Sequence, residues 1–239
     1  MGFLDRDLLR YFDLRLLRLL WLADAFLVGL WLCLGVLVLL NAISSIPDIF
    51  SIARDWSVPE ISNYVKWAAV IVLLITSSLK STQSWPAILA IGFLIILADD
   101  ALQIHERYTS LVHGIWPSIA IGSAVAQAII FCFLGLLVLL FLALAWHFAG
   151  KRDRFRVTFV FGLIVAIAFF AIIVDLIHGI LGLSLVGDVL LVLAEDGSEL
   201  FLTSLILSFV YQSIWRELES RPRREFSGVS EKAHVVDRE

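Results

Sequence analysis

The chain has 239 residues, 60% of them apolar and only 17% charged, with a mean hydropathy of +0.94. That balance excludes an ordinary soluble domain, and a formal net charge of −4 gives no footing for nucleic acid. The two cysteines, Cys33 and Cys132, both sit inside apolar runs, which argues against a disulfide framework and a thiolate zinc site.

Residues 1–20, MGFLDRDLLRYFDLRLLRLL, mix acids and arginines with leucines at helical spacing and carry no A-x-A type cleavage site. They read as an amphipathic segment on the membrane surface rather than a cleaved leader. Six runs of roughly 20 apolar residues then follow within residues 21–215. They are placed at Leu22–Ile43, Ile61–Leu79, Trp85–Tyr108, Ile119–Phe148, Val157–Leu181 and Asp188–Trp215. Pro47 and Pro59 punctuate the first loop, KSTQS makes the second turn, and GKRDRFR separates the fourth and fifth runs. Residues 216–239 form a charged tail, expected to be mobile. The fold class expected is all-α: a polytopic membrane protein with six transmembrane helices in one bundle.

Loop charge sets the expected orientation. With six spans, the side holding both termini carries 15 of the 18 Lys and Arg residues, Arg54, Lys66 and Arg107 being assigned to the other. The positive-inside rule then puts both termini in the cytoplasm.

Acids interrupt three of the runs: Asp99, Asp100 and Glu106 in the third, Asp175 in the fifth, and Glu195, Asp196 and Glu199 in the sixth. Charged groups at such depth are rarely left facing lipid. On straight helices Asp99, Gln103 and Glu106 share one stripe, and Asp188, Glu195 and Glu199 share another. Asp175 and His178 stand at i, i+3. At ~1.5 Å per residue all three groups fall in the outer half of the membrane, so a polar pocket opening outward is expected. Seven carboxylates facing His105, Arg107 and His178 cannot all be ionised in a dry site; either several hold protons or a metal ion sits among them. The Asp-x-x-His unit matches the way helical bundles present a carboxylate and an imidazole to one metal, although a symmetric di-iron site would need it twice.

The metal-site residues expected are therefore Asp99, Glu106, Asp175, His178, Glu195 and Glu199. Asp100, Gln103, His105, Asp188 and Asp196 are secondary. Plainer roles compete at several positions. Asp188 suits a helix cap, Glu106 and Arg107 suit the outer interface, and Asp24 suits a pair with a nearby Arg. The strongest group could also be a buried network that only fixes packing.

Two stretches, ADDALQIHER at Ala98–Arg107 and LAEDGSEL at Leu193–Leu200, resemble motifs in a group of bacterial multi-pass membrane proteins. Those carry an Asp-Glu-Ala-x-x-Ile-His-Glu-Arg segment on a middle helix and a Glu-Glu-Gly-x-Glu segment on a late one. This chain has Asp100 and Asp196 where that pattern has Glu. The resemblance implies a bacterial inner-membrane protein with its site at these residues, and implies no activity. The alkaline-ceramidase-like membrane hydrolases are a looser comparison, and their His-rich final helix is missing here.

Three functions fit these expectations. One is a divalent-metal enzyme activating water against a lipid or other outer-leaflet substrate. Another is a proton- or cation-coupled transporter or channel. The third is a structural subunit whose acids meet a partner's basic residues, in an oligomer or larger membrane complex.

Overall fold

A computed structural model of the chain describes residues 10–104, 107–108, 123–174 and 185–216, and the described elements are all helical. Asp13 starts the first helix, α1 (Leu14–Leu39), its carboxylate accepting from the Arg15 and Leu16 amides at 3.0 Å. The first seven residues of α1 thus belong to the stretch expected to lie on the membrane surface. A short 3₁₀ turn (Asp48–Phe50) precedes α2 (Val58–Ser81). Ser57 caps α2 by accepting from the Glu60 amide at 3.4 Å, while the Glu60 carboxylate accepts from the Trp56 amide. This is a capping box displaced by one residue, with Pro59 supplying a preset φ in the first turn. Next come α3 (Trp85–Leu102), α4 (Ser123–Phe148) and α5 (Lys151–Phe169), which ends in a π turn (Phe170–Val174). The last helical run comprises α6 (Leu185–Val192), a π turn (Leu193–Gly197), α7 (Ser198–Val210) and a further π turn (Tyr211–Arg216).

Among the described residues, four stretches are long and apolar enough to cross a membrane: Leu14–Leu39, Val58–Ser81, Trp85–Leu102 and Ile129–Phe148. Two boundaries differ from the sequence expectation. Gln103 adopts a left-handed conformation (φ 51°, ψ 45°) that stops α3 at Leu102 instead of letting it run to Tyr108. At α5 the helix begins at Lys151, with Gly150 as its N-cap, so the basic GKRDRFR stretch rides on the helix rather than forming a loop. Asp153 and Arg156 there make a buried pair at 2.5 Å.

The core is centred on α2, where Asn63, Lys66, Trp67, Val70, Leu74 and Ser77 repeat every three or four residues along one buried face. This helix packs against α3 and α7; α3 also packs on α4, and α7 on α1 and α5. Leu22, Phe26, Leu79, Phe133 and Leu136 face outward, as expected where the surroundings are lipid. At one end, Tyr11 and Phe12 pack into an aromatic cluster with Phe155, Phe159 and Phe209, the last two stacked at 4.6 Å. Lys80 lies over the Trp215 ring at 3.7 Å and Arg216 reaches Asp13 at 3.3 Å. The ends of α2 and α7 therefore meet the start of α1 at this basic end.

Helix α1 buries only Leu17, Asp24 and Trp31, and it is joined to α7 by polar bonds. Ser208 donates to the Asp13 carbonyl at 3.0 Å, the Trp21 indole to the Phe201 carbonyl at 3.2 Å, and Ser204 to Asp24 at 2.5 Å. Asp24 and Lys66 form a buried ion pair at 2.9 Å, 1% and 4% exposed. The Lys66 ammonium also donates to the Leu200 carbonyl at 2.9 Å and to Ser204 at 3.2 Å. Asp24 thus pairs across helices with Lys66 rather than with a nearby Arg, and Lys66 lies inside the bundle rather than in an outer loop.

Lys66→Met alone leaves Asp24 buried without its cation, and is expected to lower stability by about 3–5 kcal/mol, read as a lower melting temperature in detergent. Adding Asp24→Leu is expected to recover most of the loss. An unchanged melting temperature in the single variant would contradict a role for the pair in holding the bundle.

Candidate cation site

At the end of the bundle opposite Lys80 and Arg216, a cavity of about 100 Å³ is lined by Ile52, Ala53, Arg54, Asp55, Pro59, Glu60, Asn63, Asp100, Asp196, Glu199 and Leu200. Four segments supply its acids. Asp55 comes from the loop before α2, Glu60 from the first turn of α2, Asp100 from the last turn of α3, and Asp196 and Glu199 from the π turn and the start of α7. Several of these groups already have protein partners. Asp55 accepts from the Gln103 side chain, Glu60 from the Trp56 amide, and the Asp100 carbonyl from the Tyr64 hydroxyl at 3.3 Å. Arg54, at the rim, pairs with Asp48 at 3.3 Å.

Asn63 is the exception in this lining. Its side chain is 5% exposed, and its Oδ1 accepts no hydrogen bond among the described residues. A buried amide oxygen left unpaired costs roughly 1–3 kcal/mol. One turn further along α2, the buried indole N–H of Trp67 makes no well-formed hydrogen bond among the described residues and has the Glu199 carboxylate within its reach.

The stripes expected from the sequence are regrouped by two local departures from α geometry. Left-handed Gln103 takes the chain off the helix axis after Leu102, so Asp99 and Gln103 do not continue one face. Asp100, held secondary, lines the cavity in place of Asp99, and Gln103 serves by bonding Asp55. In the last run, the π turn at Leu193–Gly197 advances fewer degrees per residue than the roughly 100° of an α-helix. It breaks the Asp188–Glu195–Glu199 stripe: Asp196 lines the cavity beside Glu199, and Glu195 does not. Asp188 lies on α6. His105, Glu106, Asp175 and His178 lie outside the described residues. The π turn at Phe170–Val174, immediately before Asp175 in the chain, packs against the one at Leu193–Gly197.

Asp55, Glu60 and Asn63 were not foreseen. Asp55 and Glu60 fall in the first loop of the sequence reading, and Asn63 just inside the second apolar run. The spacing of Asn63 and Lys66, i and i+3 inside an apolar run, was the available signal.

Among the described residues, no three His, Cys, Asp or Glu side chains are arranged to hold a metal ion. The described cavity is an acceptor-rich chamber rather than a compact coordination shell.

A family model described as "Domain of unknown function (DUF8692)" matches residues 19–213. The chain belongs to this family. The DUF8692 match takes in every residue lining the cavity and the Asp24–Lys66–Ser204 group beneath it. No curated protein and no solved structure matches the chain.

The register imposed by the π turn can be read by cross-linking. In a background with Cys33 and Cys132 replaced by Ser, a short bis-thiol reagent is expected to link Asn63→Cys to Asp196→Cys efficiently and to Glu195→Cys poorly. Equal linkage of both pairs would contradict this placement.

Proposed function

We propose that this DUF8692 protein is a six-span protein of the bacterial inner membrane, with both termini in the cytoplasm, that binds a cation in an outward-opening acidic cavity. The observation that carries this reading is the lining itself: Asp55, Glu60, Asp100, Asp196 and Glu199, from separate segments of the chain, share one cavity. Carboxylates gathered in a partly desolvated space favour a positively charged occupant.

Orientation is supported by the distribution of charge along the bundle. Lys80, Lys151, Arg152, Arg154 and Arg216 belong to the helix ends that meet Asp13, whereas the cavity acids are at the other end. With the basic end facing the cytoplasm, the cavity opens outward. Below it, Trp67 and Phe93 pack at 5.4 Å, both fully buried. That aromatic floor favours binding over conduction through the bundle. A metal-activated hydrolysis draws on Glu106, Asp175 and His178, and the described groups support the binding step alone.

Two measurements test the reading. In intact cells, a membrane-impermeant maleimide is expected to label Asp55→Cys, while Lys80→Cys is expected to react only after permeabilisation. The reverse pattern would overturn the orientation. For purified protein, a bound cation at about 100 times its dissociation constant is expected to add about 2.7 kcal/mol of stability, seen as a raised melting temperature. Glu199→Gln combined with Asp196→Asn is expected to remove that gain. A panel of metal and organic cations with no effect on the wild-type protein would contradict cation binding.

A further inference from the structure

Helix α1 turns Leu17, Asp24 and Trp31 inward, which sends Arg15, Leu19, Leu22 and Phe26 out on its opposite side, at i, i+4, i+7 and i+11. Arg18 stands beside this stripe, at i+3 from Arg15. Both arginines are exposed, and Leu19, Leu22 and Phe26 are 67%, 69% and 68% exposed. The geometry points to this face of α1 as a docking site for an anionic phospholipid. Arg15 and Arg18 would hold its phosphate, and its acyl chains would lie along Leu19, Leu22 and Phe26.

Charge complementarity selects the headgroup. Among the described residues, the acids at the end where α1 starts are Asp13 and Asp153, and each already holds an arginine. Arg216 reaches Asp13 at 3.3 Å, and Arg156 reaches Asp153 at 2.5 Å. Arg15 and Arg18 make no ion pair with any described residue. Spaced i, i+3, their planar guanidinium groups can grip one phosphate together. Length selects a lipid over a free phosphate. The rise from Arg15 to Phe26 is about 16 Å, close to half of a hydrocarbon core of roughly 30 Å. A second copy of the chain fits this face less well. A two-fold dimer sets the same patch against itself, so Arg15 and Arg18 would meet their own counterparts with no described acid between them, a repulsive contact.

The test uses full-length protein in detergent, with the melting temperature followed against dioctanoyl phosphatidylglycerol and dioctanoyl phosphatidylcholine at fixed ionic strength. Phosphatidylglycerol is expected to stabilise at a concentration about tenfold or more below that needed of phosphatidylcholine, the margin of two arginines facing a net negative headgroup. Arg15→Gln combined with Arg18→Gln is expected to abolish that preference. Lys151→Gln combined with Arg152→Gln removes the same charge elsewhere at the basic end, and is expected to leave the preference in place. A preference lost equally in both double variants would show a diffuse basic field and overturn the inference, as would no preference in the wild type. Glycerol 3-phosphate, which has the charge and no chains, is expected to give no gain in the same concentration range; an equal gain would overturn the assignment to a lipid. Cys33 is exposed on the same face. In a Cys132→Ser background, near-complete oxidative cross-linking of two chains through Cys33 would overturn the inference in favour of a second copy. The cavity acids take no part in these readouts, so cation binding stands or falls separately.

Discussion

The Lys66 ammonium ties three helices together near the middle of the bundle. It reaches Asp24 on α1 and both Leu200 and Ser204 on α7 from its own place on α2. Apolar side chains gain little by leaving lipid for the interior of a membrane bundle, so helices there are registered chiefly by packing and polar contacts. That matters most for α1, the least buried of the span-length stretches among the described residues. Removing either charge would leave the other in a setting that cannot solvate it, which is why the pair specifies alignment more strongly than surface ion pairs do.

The cavity inherits its geometry from that tie. Asn63 precedes Lys66 by one turn on α2, and Glu199 precedes Leu200, whose carbonyl Lys66 holds. Fixing Lys66 to Leu200 therefore fixes the height of Asn63 against Glu199. The π turn at Leu193–Gly197 then decides which acids of the last run face inward, and the left-handed Gln103 decides where α3 ends. Regular helices supply the frame, and these two irregular backbone segments aim the chemistry, a division of labour common where π turns occur.

Most of the helical frame was legible in the chain, because runs of apolar residues announce spans regardless of their partners. The starts of α2 and α3 could be placed to within a few residues from Pro59 and Trp85–Pro86. The place of Asp100, Asp196 and Glu199 as acids inside apolar runs was also visible. What stayed hidden was which of them meet. Stripe analysis assumes a constant turn per residue; no glycine or proline signals the break at Gln103, and the single Gly197 of the π turn does not distinguish it from an ordinary helical turn. Asp24 and Lys66 were each seen separately, but a contact between residues 42 apart on different helices cannot be read from local spacing. The share of the site expected from Asp175, His178 and Glu106 lies outside the described residues.

The central claim is that the cavity holds its acids together around a cation. A structure of the protein in lipid nanodiscs, at a resolution that shows bound ions and small ligands, addresses it directly. Non-protein density is expected within about 3 Å of the Asp196 and Glu199 carboxylates. A cavity closed by protein side chains, with those carboxylates meeting only donors of the chain itself, would contradict it.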